Sequence, residues 1–135
     1  MAIQVVRLGT ERKSDEGLRI GTVRRPPRGV PKSEYATQNY YDVWLPNVAP
    51  SEGLVKVAQG ADSNKDWTVF SKKYRKELKE RDKSRIIDLL AALSREINFS
   101  IGCYCENASR CHRVVLKEVL EERGAKIKQE GSSPC

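Results

Sequence analysis

The chain has 135 residues, 39% hydrophobic and 32% charged, with a formal net charge of +7, four cysteines and a single histidine. That length suits one domain with a sizeable core, and no apolar run approaches the roughly 20 residues that span a bilayer. Met1-Ala2-Ile3-Gln4-Val5-Val6-Arg7 lacks the apolar stretch of a secretory leader, so the expected setting is cytoplasmic, with thiols reduced and no disulfide framework.

Ile3 to Leu8 reads as a first strand, and Gly9 to Gly17 as a polar connection. Leu18 to Arg24 alternates, with Leu18, Ile20 and Thr22 on one face, and reads as a second strand. Arg25-Pro26-Pro27-Arg28-Gly29 ends it, because proline removes a ladder donor. Val30 to Pro50 holds Tyr35, Tyr40, Tyr41 and Trp44 in a loop-like or short-helix setting. Pro50-Ser51-Glu52 opens a short helix ending near Gly60, and Ser63 to Asp66 supplies caps for the next. Trp67, Phe70, Tyr74 and Leu78 recur at helical spacing as a core stripe, and Ile86, Leu89, Leu90, Leu93 and Ile97 make another. Asn98 to Cys105 reads as a third strand. Val115, Leu116, Val119 and Leu120 make the last helix amphipathic, and Gly124 stops it. Ala125 to Lys128 suits a further strand, and residues 129–135 read as a frayed tail in which Cys135 is a bystander.

Strands separated by helical crossovers predict an α/β fold: a single three-layer domain over residues 1–128, its small, mostly parallel sheet flanked by helices. The net charge favours acidic partners, a phosphate-bearing small molecule or nucleic acid. The bland alternative is that the cations of Lys72 to Lys83 form the solvated face of a helix, with pairs such as Glu77 and Arg81.

Chemistry concentrates in Cys103-Tyr104-Cys105-Glu106-Asn107-Ala108-Ser109-Arg110-Cys111-His112-Arg113, which holds three of the four cysteines and the only histidine. Ligands of open α/β sheets bind outside the carboxyl ends of strands. If the second and third strands are parallel neighbours, the diproline turn and this thiol-rich turn share one rim. Arg25, Arg28, Arg110 and Arg113 would then hold an anion, helped by a helix N-terminus. Cys111 or Cys105 would be the nucleophile and His112 its acid–base partner. Cys103, Cys105, Cys111 and His112 are alternatively the ligand types of a zinc site or a redox sensor, although C-x-C on a strand is unusual spacing for zinc. A third reading is a non-catalytic nucleic-acid binder driven by charge. The C-x5-R spacing of cysteine phosphatases fails, since Cys111 stands six residues after Cys105 and Ser109 six after Cys103. No P-loop or G-x-G-x-x-G is present.

Gly17-Leu18-Arg19-Ile20, Arg25-Pro26-Pro27-Arg28-Gly29, Trp44 to Ser51, Trp67 to Leu78, Cys103-Tyr104 and Cys111-His112-Arg113 resemble, in order, blocks of the domain-of-unknown-function 488 family, including its YeaO-like branch. The likeness spans Val5 to Arg123. It implies a compact α/β domain and no agreed activity. Relatives commonly carry an aspartate before the diproline segment, which this chain lacks, so no role for it carries over. Cys105 stands where many relatives have glutamate, which favours thiol or metal chemistry here.

Overall fold

The computed structural model describes residues 2–60, 63–104 and 111–128. Strands β1 (Ile3–Arg7), β2 (Leu18–Gly21), β3 (Val43–Trp44) and β4 (Phe99–Cys103) form an all-parallel sheet in the spatial order β1-β4-β2-β3. Helices α1 (Glu52–Gln59), α2 (Asn64–Leu78) and α3 (Arg81–Leu93) lie between β3 and β4, and α4 (His112–Glu122) follows β4. Short 3-10 turns cover Lys32–Glu34 and Pro46–Val48. This is a single α/β domain. Ile127 adds one parallel bridge to Ile3, outside the free edge of β1.

Register divides the sheet into two unlike faces. Ile3, Phe99 and Leu18 align, as do Val5, Ile101 and Ile20. Except for Leu18, they meet the helices in a core with Phe70, Tyr74, Leu78, Ile87, Leu90, Leu116 and Leu120. One step along, Gln4, Ser100 and Arg19 align on the opposite face. Irregular chain covers that face and satisfies it by polar bonds. Arg19 is fully buried and grips the Glu16 carboxylate with Nε at 2.6 Å and Nη2 at 3.0 Å. Its Nη1 donates to the carbonyls of Thr10 (2.9 Å) and Asn39 (2.8 Å), tying both covering loops to β2. The Ser100 hydroxyl donates to Glu16 Oε1 at 2.7 Å. Burial raises the pKa of Glu16, but the bonds from Arg19 and Ser100 outweigh it and hold the carboxyl below its usual range.

All five residues of β4 are buried, as expected of a central parallel strand covered on both sides. Two glycines allow the close approach of the covering chain. A β-carbon on Gly21 would enter the Tyr41 ring, and one on Gly102 would meet Leu8 and the Val6 carbonyl.

The helix caps fall where expected: Ser51 Oγ accepts from the Leu54 amide and Ser63 Oγ from the Asp66 amide. Phe70, Tyr74 and Leu78 are buried, as are Val115, Leu116, Val119 and Leu120. Leu18 and Ile20 share a face as expected, Leu18 half-exposed at its end, and Arg19 is buried on the other. Three local readings are corrected. β3 pairs with β2 in a segment that carried no strand signal. The buried stripe of α3 is Ile87, Leu90 and Ala91, whereas Leu89 and Ile97 are exposed, because adjacent apolar pairs left the helix phase open and α3 stops at Leu93. The Glu77–Arg81 pair does not form, since α2 ends at Leu78. Glu77 instead accepts the Ser51 amide at 2.9 Å.

The Arg19–Glu16 pair yields a direct expectation. Arg19→Met strands a buried carboxylate and should cost about 3–5 kcal/mol in urea unfolding. Adding Glu16→Gln should restore part of that loss, whereas strictly additive losses would show that the two residues do not act as a unit.

Candidate functional site

Parallel pairing of β2 with β4 brings their carboxyl ends together, Gly21 opposite Gly102. Cys103 ends β4 and Cys111 is the N-cap of α4. The sulfurs of these two lie against each other, with Cα atoms 7.9 Å apart, wider than the roughly 4.4–6.8 Å that a disulfide spans. Both sulfurs are buried in a small cluster with Leu8, Val23 and Tyr41, against which Tyr35, Tyr40 and Tyr104 pack.

The first turn of α4 straddles β4. His112 reaches toward β2, its Nε2 at 2.7 Å from the Thr22 carbonyl oxygen. A carbonyl only accepts, so Nε2 carries the proton and Nδ1 keeps the lone pair. The ring stands edge-on to Tyr74 at 5.9 Å. Burial pulls the imidazole pKa down to about 4 despite the Thr22 bond, and the Arg113 charge adds to the fall. His112 is therefore neutral near pH 7. Arg113 points the other way. It is 3% exposed, and its Nη1 donates to the Val6 carbonyl on β1 at 2.9 Å.

Beside the sulfur cluster lies an open cavity of about 270 Å³, lined by Arg25, Pro26, Pro27, Arg28, Tyr40 and Tyr104. Tyr104 links the two features. It directly follows Cys103, and its hydroxyl donates to the Arg25 carbonyl at 2.9 Å. Tyr40 and Tyr104 meet edge to face at 6.2 Å. The diproline turn and the sulfur-bearing turn are thus neighbours on one rim.

The arginines of that turn diverge. Arg24 donates to the Ala49 and Pro50 carbonyls at 3.0 Å each. Arg25 forms an exposed pair with Glu52 at 2.9 Å, which is worth little in water. Arg28 lines the cavity and has no ion-pair partner among the described residues. Of the expected site residues, the structure places Arg25 and Arg28 on the cavity and Cys111 and His112 together with Cys103, the latter pair not lining the cavity. It directs the Arg113 guanidinium to β1, and Cys105 and Arg110 lie outside the described residues.

Cys103, Cys111 and His112 offer ligand atoms within 4.8 Å of one another. Two sulfurs and an imidazole whose other nitrogen donates to a carbonyl suit zinc chemically, provided that both thiols are reduced. Cys105, the fourth expected ligand, falls outside the described residues.

Thr22, Tyr41 and Tyr104 were not among the expected site residues. Tyr35, Tyr40 and Tyr41 did form an aromatic cluster in a segment without periodicity, and that was the available signal. A backbone acceptor such as the Thr22 carbonyl leaves no trace in a sequence.

No helix of the described residues is long and apolar enough to cross a membrane. No curated protein and no solved structure matches the chain. A family match covers residues 3–124, in agreement with the resemblance carried by the ordered blocks. The chain belongs to the domain-of-unknown-function 488 family, in the branch described as the active DUF488-N3 subclade.

Proposed function

We propose that the protein binds a phosphate-bearing ligand of nucleotide class in the rim cavity, and that reduced Cys111 acts on it as a nucleophile. The observation that carries this reading is the position of Tyr104, which forms a cavity wall and directly follows one of the paired sulfurs. Arg28, which has no ion-pair partner among the described residues, supplies a cation, and Arg25 can exchange its exposed Glu52 bond for a phosphate oxygen. Tyr40 and Tyr104 offer aromatic faces to a base. The N-terminus of α4 favours thiolate at Cys111. His112 takes part as a neutral base through Nδ1, not as an imidazolium partner. A cytoplasmic setting, where thiols stay reduced, belongs to the same proposal. The word active in the subclade's description accords with a retained chemical site. A cavity of about 270 Å³ suits a mononucleotide better than a long strand, which ranks a small ligand above nucleic acid.

Calorimetric titration with adenosine 5′-monophosphate at low salt tests the binding step. Saturable binding is expected, weakened at least tenfold by Arg28→Ala, a loss of about 1.4 kcal/mol. The charge-matched Lys65→Ala on α2 should leave it unchanged. Absence of binding, or equal weakening by both variants, contradicts the reading.

The neutral His112 has a pH signature. The folded imidazole takes its proton near pH 4 and a free one near 6.5, so the unfolded chain binds more protons between those values. The stability contributed by His112 is present above about pH 6.5 and is lost as pH falls toward 4. Relative to His112→Asn, the wild type should lose up to about 3 kcal/mol between pH 7 and 4 in urea unfolding. Parallel curves for the two proteins would show that the imidazole is not held neutral.

A further inference from the structure

Cys103 and Cys111 are each 1% exposed, and their sulfurs meet among Leu8, Val23 and Tyr41. The backbone holds them 7.9 Å apart between Cα atoms. A disulfide spans up to roughly 6.8 Å. On one tetrahedral zinc ion, two sulfurs bonded at about 2.3 Å stand roughly 3.8 Å apart, about 1.7 Å more than the joined sulfurs of a disulfide. Cysteines that share a zinc therefore span Cα separations up to roughly 8.5 Å. The observed spacing is too wide for the covalent bridge and within reach of the metal one.

His112 supplies a third ligand. Its Nε2 donates to the Thr22 carbonyl at 2.7 Å, so Nδ1 carries the lone pair. A metal-bound imidazole typically donates its other nitrogen to such an acceptor, which fixes the tautomer and orients the ring. Consecutive residues inside a helix would point about 100° apart, but Cys111 is the N-cap of α4, with extended backbone at φ −121° and ψ 146°. That break lets the two neighbouring side chains converge. The ligand atoms of Cys103, Cys111 and His112 lie within 4.8 Å of one another. Around tetrahedral zinc such atoms stand roughly 3.5–3.8 Å apart, a difference that side-chain rotation can close.

We infer that Cys103, Cys111 and Nδ1 of His112 hold a zinc ion at the rim when the two thiols are reduced. The donor set decides the metal class: thiolate with imidazole suits zinc, whereas magnesium and calcium take oxygen ligands. Each thiol gives its proton to solvent as its bond to zinc forms. Two thiolates cancel the charge of the ion, so a neutral unit sits beside Leu8 and Val23. Three protein ligands leave a fourth position for water or a substrate atom, as in catalytic zinc sites. The inference shares with the proposed function the need for reduced thiols, but needs neither its ligand nor its nucleophile. One sulfur cannot be a zinc ligand and a free nucleophile at once, so the zinc-loaded chain and the chain that attacks a nucleotide are separate states of this site.

The test uses the full chain, purified without an affinity tag, reduced, stripped with a chelator, and titrated with zinc against a competing chromophoric indicator. A single zinc ion per chain should bind. Cys103→Ser and His112→Asn should each weaken it at least about tenfold, and Cys135→Ser should not. X-ray absorption of the zinc-loaded wild type reads the ligands without any variant, and should show at least two sulfurs at about 2.3 Å and an imidazole nitrogen at about 2.0 Å. Failure of the reduced wild type to take up zinc overturns the inference. So does a shell with fewer than two sulfurs or no imidazole, or wild-type affinity in either ligand variant. Titration of the zinc-free chain with adenosine 5′-monophosphate separates the two readings. Zinc uptake without nucleotide binding would keep the metal site and sink the proposed function, whereas nucleotide binding by a chain that takes up no zinc would do the reverse.

Discussion

Parallel pairing of β4 with both β1 and β2 is the constraint on which this protein depends. Because the three strands run the same way, their carboxyl ends lie on one edge of the sheet. The diproline turn leaves from β2 and the cysteine-bearing turn from β4, so adjacency of two strands becomes adjacency of two turns. The α4 helix then returns over the centre, placing His112 on the β2 side and Arg113 on the β1 side. An antiparallel β4 would have put the cysteines at the opposite edge from the diproline turn. The sulfur cluster, the cavity wall of Tyr104 and the Thr22–His112 bond all follow from that single direction.

The two faces of the sheet solve burial differently. One is covered by helices and held by apolar contact. The other is covered by loops, which have few apolar groups to contribute, and the polar network of Arg19, Glu16 and Ser100 holds it instead. Buried ion pairs rarely add net stability over an apolar replacement, but they demand one geometry. Here Arg19 reaches the Thr10 and Asn39 carbonyls at once, so the same guanidinium that neutralises Glu16 also sets the path of both covering loops. The second loop carries Tyr40 and Tyr41 to the rim. In this way a structural charge pair deep in the sheet positions the aromatic wall of the candidate site.

Much of this was legible in the sequence where periodicity was strong. The α2 and α4 stripes and the caps at Ser51 and Ser63 needed only local rules, and the cluster of thiols with the sole histidine located the rim. Elsewhere tertiary contacts decided. β3 has two residues, too few for alternation to show, and Trp44 Nε1 bonding the Val23 carbonyl at 2.7 Å helps to hold it. In α3, the neighbours Ile86-Ile87 and Leu89-Leu90 support two helix phases equally, and packing selected the one that buries Ile87 and Leu90. A charged residue on an alternating strand reads as outward-facing, yet Arg19 is inside because Glu16, three residues earlier in a loop, meets it there. The direction of Arg113 depends on how α4 rotates against the sheet, which residue types alone do not specify.

The central claim, that the diproline turn and the sulfur-bearing turn form one ligand-binding rim, is tested most directly by backbone amide chemical shifts during titration with adenosine 5′-monophosphate. The account predicts that Arg28, Gly29, Tyr40, Tyr104 and Cys111 shift together along one saturating curve. Shifts confined to one of the two turns, or centred instead on the groove lined by Lys56, Val57 and Val69 between α1 and α2, would contradict it.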